Sequence, residues 1–278
     1  MGQMVSLNGA NFTDTRLPIL YNYPGLCAGS LMLLDAEKIA ADFNFSATAV
    51  TTYTDNLAAE VAEELTAKTA KDLRLAWNNS LVTTGEAPEA LFERTDKGGI
   101  HGIVSLLNQQ VGHRGRFQCP GIMEYIAAHQ NERQFALFMH YQVTRTGGGT
   151  GAQQAVECII SSQVSPSANR LIISRLPNMI SDEAGLHSQL SDKAGADLTS
   201  TVYYQDLPVW GAASGFGSLV NNACKSWILY RCHLVDVTAS GMTFTELTAA
   251  EQQLLNVNFG AGGKYSSDTI PTSPSALP

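Results

Sequence analysis

The sequence is short of charge. Asp, Glu, Lys and Arg make up 15 % of its 278 residues, against about 25 % in an ordinary soluble domain. The apolar share is ordinary at 44 %, so Ser, Thr, Asn, Gln and Gly stand where ions are missing. Positive charge is the scarcer kind: 17 Lys and Arg face 25 Asp and Glu, a formal net charge of −8. Nucleic-acid binding needs cationic surface to displace counterions, so this balance argues against it. No run of about 18 apolar residues occurs, which argues against a membrane-spanning helix. The hydrophobic content is too high for global disorder.

Paired-cysteine patterns are also missing. The five cysteines, Cys27, Cys119, Cys158, Cys224 and Cys232, are odd in number, irregularly spaced and without C-x-x-C. A disulfide framework or zinc knuckle is not expected, and a chain this long needs no staples. Reduced, partly buried thiols made in the cytoplasm are the simpler reading. No basic and apolar leader opens the chain, so no signal peptide is expected. Gly2 and Ser6 do fit the short M-G-x-x-x-[ST] myristoylation pattern.

The hydrophobic patterning predicts an α+β fold. Its helical N-terminal half packs on an antiparallel β-meander or sandwich in the C-terminal half, with extended arms at both ends. Residues 1–33 form the first arm, 34–259 a single domain (helical over 34–132, mainly β over 133–259), and 260–278 the second arm. Helices are expected from Asp35 to Asn44, Asp55 to Asn78, Ile100 to Val111 and Gly121 to Gln130. In the second of these, Leu57, Val61 and Leu65 recur at helical spacing. Twelve of the 25 acids lie between Asp35 and Asp96, which reads as a solvated helical face and not a metal site.

Beyond Arg133 the pattern changes. Between Gln134 and Pro177 the only charges are Arg145, Glu157, Arg170 and Arg175. Strands are expected over 135–143, 155–164 and 171–176, the first two joined as a long hairpin with a glycine-rich tip. Residues 181–197 read as helix or loop and 199–205 as a strand. Lys225 to Thr238 reads as a central strand, Trp227, Leu229 and Arg231 on one side, Ile228, Tyr230, Cys232 and Leu234 on the other. Thr248, with Glu251 three residues on, reads as a capping box for a short helix over 248–255.

Few constellations carry chemistry. The six histidines fall in neither H-E-x-x-H nor H-x-H spacing. His101, His113, Arg114 and Arg116 form the densest basic group and a candidate anion site, with Cys119 as a conceivable nucleophile. A polar helix end explains the same residues more simply. No catalytic residue, metal ligand or cofactor is assigned. Gly147–Gly151 resembles the GGGTG phosphate loop of the tubulin and FtsZ family. The resemblance covers five residues and is followed by strand-like sequence, so a hairpin tip is preferred. That tip, Arg145, Thr146, Gly147, Gly148, Gly149, Thr150 and Gly151, is the candidate interaction site.

Low charge and abundant small polar residues suit surfaces covered by other subunits, where isolated ions cost desolvation energy. The expectation is therefore a structural self-assembling subunit of a virion, phage tail or neck, or similar particle. Its partners are itself and neighbouring structural proteins. The alternatives are an enzyme with a His/Cys/Arg site near 101–119 and a β-hairpin pore-forming toxin.

Overall fold

The computed structural model describes residues 21–46, 52–80, 89–107, 113–148, 155–162, 170–191, 198, 203–211 and 223–278. Among them the chain forms thirteen strands, all paired antiparallel in three sheets, and four helices.

The largest sheet is organised by β13 (Ser226–Asp236), whose eleven residues are all buried. β7 (Phe135–Arg145) pairs along one side of it. On the other side β1 (Ser30–Asp35) and β5 (Ile100–Val104) lie end to end, β1 against 231–235 and β5 against 227–229. β10 (Gly185–Leu190) extends the sheet beyond β7, and β4 (Ala90–Arg94) beyond β5. A second sheet runs β12 (Val209–Gly211), β6 (Arg114–Gln118), β3 (Leu75–Asn79), β2 (Thr52–Thr54). A third runs β11 (Tyr203–Asp206), β8 (Cys158–Ser162), β9 (Arg170–Ser174).

Both faces of the large sheet are covered. One meets the smaller sheets across a core that includes Leu137, Met139, Trp227, Leu229, Cys232, Leu234, Trp77, Phe117, Trp210 and Cys158. Its centre is aromatic: Trp210 stacks on Trp227 at 4.4 Å, and Trp77 meets Phe117 at 4.8 Å and Phe92 at 5.1 Å. Such pairs contribute about 0.5–1.5 kcal/mol each beyond their buried area. The other face carries α4 (Phe244–Phe259), with Leu247 packed against Ala136, Phe138 and Val235. α3 (Val237–Ser240) follows β13 directly.

The expected division into a helical half and a β half does not form. α1 (Ala59–Thr66) covers only the first part of the predicted 55–78 helix. Ala67, at φ 54°, ends it in the left-handed region, and Leu75 and Trp77 then enter β3. Residues 100–104, expected as helix, are strand β5; every side chain there is buried, so no polar face marks a period. Asp35 ends β1 and caps one 3-10 turn, Ala36–Lys38, in place of a longer helix. Residues 185–190, read as helix or loop, are strand β10. α2 (Met123–His129) forms where a helix was expected.

The meander is corrected too. β7 and β8 belong to different sheets, so no long hairpin joins them. The simple alternation expected for 225–238 is broken by a bulge: the register shifts between Leu229 and Arg231 opposite Tyr141 and His140. Arg231 then shares the α4 face with His233, while Cys232 and Leu234 join Trp227 and Leu229 in the opposite core. The expected arms are met only in part by the described residues. Residues 30–33 belong to β1, and residues 1–20 lie outside the described residues. Residues 264–278 lie along the large sheet, with Lys264 2.7 Å from Asp35 and Thr272 2.8 Å from Glu93.

The aromatic centre generates a stability test. A Cβ added at Gly102 in β5 would sit 2.4 Å from Trp210 Cδ1. Because Trp210 is held by its stack on Trp227 and by a bond to the Trp227 carbonyl (3.2 Å), the indole cannot step aside cheaply. Gly102→Ala should cost about 1–3 kcal/mol, read as a lowered Tm in scanning calorimetry. An unchanged Tm would mean that the sheets separate more easily than this packing implies.

Candidate functional site

The four residues of the candidate anion site are each set against a carboxylate. Arg116 donates to Asp206 (2.9 Å), and Arg114 Nη1 lies 3.5 Å from the other oxygen of that carboxylate. Asp206 is fully buried. Burial raises its pKa, and Arg116 opposes the rise. His113 Nδ1 is 2.6 Å from buried Glu89. His101, on β5 opposite Glu93 of β4, bonds Glu93 through Nδ1 (2.9 Å) and Thr144 through Nε2 (3.0 Å). Burial holds its pKa below the ordinary histidine value. The structure thus joins Arg114 and Arg116 at Asp206 and gives each histidine a glutamate of its own. Cys119 is buried, its thiol donates to the Leu73 carbonyl (3.3 Å), and burial pushes its pKa up to about 12. A thiol so shifted carries almost no thiolate at neutral pH.

Of the glycine-rich interaction site, Arg145, Thr146, Gly147 and Gly148 are described, while Gly149, Thr150 and Gly151 lie outside the described residues. Arg145 directs Nη1 to the Pro274 carbonyl (2.8 Å) and Leu277 carbonyl, and Nη2 to the Val104 carbonyl. Gly147 approaches the Ala223 carbonyl so closely that a Cβ would sit 2.0 Å from it. Asn178 fastens Gly147 by two bonds, accepting from its N–H (2.8 Å) and donating to its carbonyl (3.0 Å). Gly147 is therefore anchored to the body of the fold.

The densest polar cluster was not anticipated. Glu251 occupies the inner stripe of α4 between Leu247 and Leu255, and only 3 % of it is exposed. The β13 bulge aims two side chains at it. Arg231 donates through Nε (3.0 Å) and Nη2 (3.1 Å), and His233 Nδ1 lies 2.7 Å away. His140 of β7 places Nε2 3.0 Å from the second oxygen. Behind His233, Ser30 Oγ lies 2.9 Å from Nε2 and accepts the Cys27 N–H (3.0 Å). The sequence held one sign of this: a carboxylate four residues from a leucine on either side, in the apolar stripe.

Burial opposes charge on Glu251, but Arg231, His140 and His233 outweigh it and hold the carboxyl well below the usual carboxylate range. An ionised Glu251 takes the His233 Nδ1 proton as a hydrogen bond. That leaves Nε2 as acceptor for the Ser30 hydroxyl, the polarity of an acyl-transfer relay. Ser30, however, is fully buried. Neither main cavity among the described residues reaches Ser30, His233 or Glu251. One, of about 670 Å³, lies between Tyr21, Tyr23 and α1; the other, of about 390 Å³, lies between Glu183, Phe259 and Asp268. The relay pins the 27–30 turn and α4 to the sheet. Among the described residues no group of three or more His, Cys, Asp or Glu is arranged to hold a metal ion, and no helix is long and apolar enough to cross a membrane.

Two tests follow from this cluster. Glu251→Gln leaves the Arg231 charge buried without its counter-ion, which should cost about 3–5 kcal/mol in denaturant unfolding. Ser30→Ala, which leaves the Cys27 N–H and His233 Nε2 short of a partner, should cost about 1–3 kcal/mol, and a fluorophosphonate should leave Ser30 of the folded protein unlabelled. Labelling would show that the turn opens to reagents.

The same groups contribute to the pH dependence. Burial, helped by Arg231 and His140 and opposed by Glu251, holds His233 below its ordinary pKa. As pH falls through about 6.5 the unfolded chain takes up this proton first, so the stability lent by the neutral ring is lost toward the lower folded value. Glu251, also depressed, adds stability that is complete above about 4.3 and lost below it. Tm should decline from pH 7 to 5, and His233→Gln should decline less steeply. Equal slopes would place the acid sensitivity elsewhere.

No known protein-family model and no curated protein sequence matches this chain.

Proposed function

We propose that the protein is a structural, self-assembling subunit of a larger particle such as a virion, phage tail or neck. Its contacts would be with copies of itself and with neighbouring structural proteins. The observation that carries this reading is a pair of apolar side chains held in water by a fastened backbone. Met179 is 71 % exposed and Ile180 55 %. Next to them, Asn178 is tied to Gly147 by its two bonds. Ser181 donates its N–H to the Val143 carbonyl (3.1 Å) and accepts the Gln142 side chain on its own carbonyl (3.0 Å). A slack loop folds such side chains inward; a fastened one displays them.

Covering apolar surface stabilises an association by roughly 25 cal/mol per Å² removed from water. Single exposed hydrophobes are ordinary, but this pair is rigidly presented and adjoins the glycine-rich segment expected to make contacts. The low charge supports the same reading, because it lowers the desolvation cost of covering the rest of the surface.

Sedimentation velocity over a concentration series, with negative-stain microscopy, tests the reading. The wild type should form defined higher-order particles. Met179→Asp with Ile180→Asp should weaken association at least tenfold, about 1.4 kcal/mol, without changing Tm by more than a degree or two. A wild type that stays monomeric at the highest attainable concentration overturns it.

A further inference from the structure

Residues 266–278 occupy a groove that the large sheet and its loops build from fixed donors and acceptors. Thr269 accepts the Asp96 N–H on its carbonyl (3.0 Å). Thr272 donates its N–H (3.1 Å) and hydroxyl (2.8 Å) to the Glu93 carboxylate, which also bonds His101. Arg145 reaches the Pro274 and Leu277 carbonyls, and the Leu277 side chain is buried. Three donors, Ser105 Oγ (2.6 Å), Leu106 N (3.1 Å) and Leu107 N (3.4 Å), converge on the Pro278 main-chain oxygen. The groove therefore reads main-chain oxygens at positions i, i+3 and i+4, a hydroxyl two residues before them, and one leucine.

We propose that this groove is a peptide-docking site that also accepts residues 266–278 of a second copy, so that neighbouring subunits are joined by exchange of this strap. Two features favour exchange. The strap is held mainly by polar bonds, with two apolar anchors, buried Leu277 and partly buried Ile270 beside Ile228, Tyr230 and Tyr265, so its release exposes less hydrophobic surface than opening the core. The groove does not relax when empty: Arg145 is half-buried, the acceptors shown for it are main-chain oxygens, and Glu93 belongs to a paired strand. Release leaves the guanidinium and the 105–107 donors short of partners, and the segment that satisfies them all is this one. In a crowded assembly the neighbour's copy is the nearest equivalent, and exchange of an identical element makes the same bonds in trans. Lys264 and Tyr265, both bonded to Asp35, mark where the strap leaves its own body.

The inference deepens the self-assembly reading, so its test is run with the Met179→Asp and Ile180→Asp changes in every chain, which removes association through that loop. Arg145→Ala spoils the groove and keeps the strap; Leu277→Asp spoils the strap and keeps the groove. Each variant alone should remain monomeric in native mass spectrometry, and their mixture should form a 1:1 pair. A labelled peptide of residues 266–278 should bind the Leu277→Asp chain saturably, and adding Arg145→Ala to that chain should weaken it at least tenfold. If either variant does not fold, the same peptide titrated into the wild type decides: saturable binding supports exchange. Folded variants that do not pair, or a peptide that does not bind, overturn the strap. A wild type that still assembles then leaves the self-assembly reading standing, whereas pairing through the strap in a chain whose wild type forms no particles separates the two the other way.

Discussion

A single carboxylate under a helix sets the terms for the large sheet. Glu251 receives two bonds from Arg231 and a close imidazole from each of His233 and His140. Each of those partners is itself buried. An ion in that position is stable only if its counter-charge is delivered at bonding distance, because desolvation otherwise exceeds the attraction. The β13 bulge performs that delivery. Regular alternation would turn Arg231 into the core among Trp227 and Leu229, away from Glu251. One register shift instead gives α4 its charged contact and returns Cys232 and Leu234 to the apolar side. Helix docking, strand register and the inner core are therefore one constraint, and Ser30 extends it to β1.

The parts of the fold legible in sequence were those with a single uninterrupted signal. Residues 135–143 and 225–238 are long and rich in aromatic and branched side chains, and both are strands. Misreadings fell where two periods coincide. Leu57, Val61 and Leu65 keep helical spacing, and Leu73 and Ala76 extend it by accident; a left-handed Ala67 ends the helix, a local conformation that alanine does not advertise. Residues 100–104 are buried on every side chain, and an apolar run of that length carries no period. The capping box was read one turn late. Thr243 and Glu246 make it, while Glu251 faces inward. The candidate residues failed to converge for a related reason. Sequence shows that Arg114 and Arg116 are close together, but their carboxylate, Asp206, comes from a strand some ninety residues away.

The scarcity of positive charge is sharper in three dimensions than in composition. Arg114 and Arg116 go to Asp206, Arg133 and Asp236 meet at 3.0 Å, Lys225 bonds buried Glu157 at 2.7 Å, and Arg231 goes to Glu251. Arg94 and Arg145 satisfy main-chain carbonyls. These seven cations, among the described residues, knit sheets, helices and loops together. The acids are distributed differently, with Glu60, Glu64 and Asp55 around the larger cavity. A contact that cannot rely on fixed ion pairs draws on shape, main-chain hydrogen bonds and displayed apolar groups.

That requirement links the two surface features on the strand ends of the large sheet. The end of β7 and the residues just after it carry both: Val143 and Gly147 fasten the loop that displays Met179 and Ile180, and Arg145 between them grips residues 274–277. Successive side chains on a strand point to opposite faces, so one short stretch of β7 can hold a loop along its main chain and a strap through its side chain. Gly147, two residues beyond the strand, is needed for a steric reason, since it lies against the Ala223 carbonyl, where no side chain fits. The end of β7 is consequently tied to the body of the fold through both main-chain and side-chain bonds. A rigid edge of that sort loses little entropy when covered, and low entropy loss favours association when electrostatic attraction is weak.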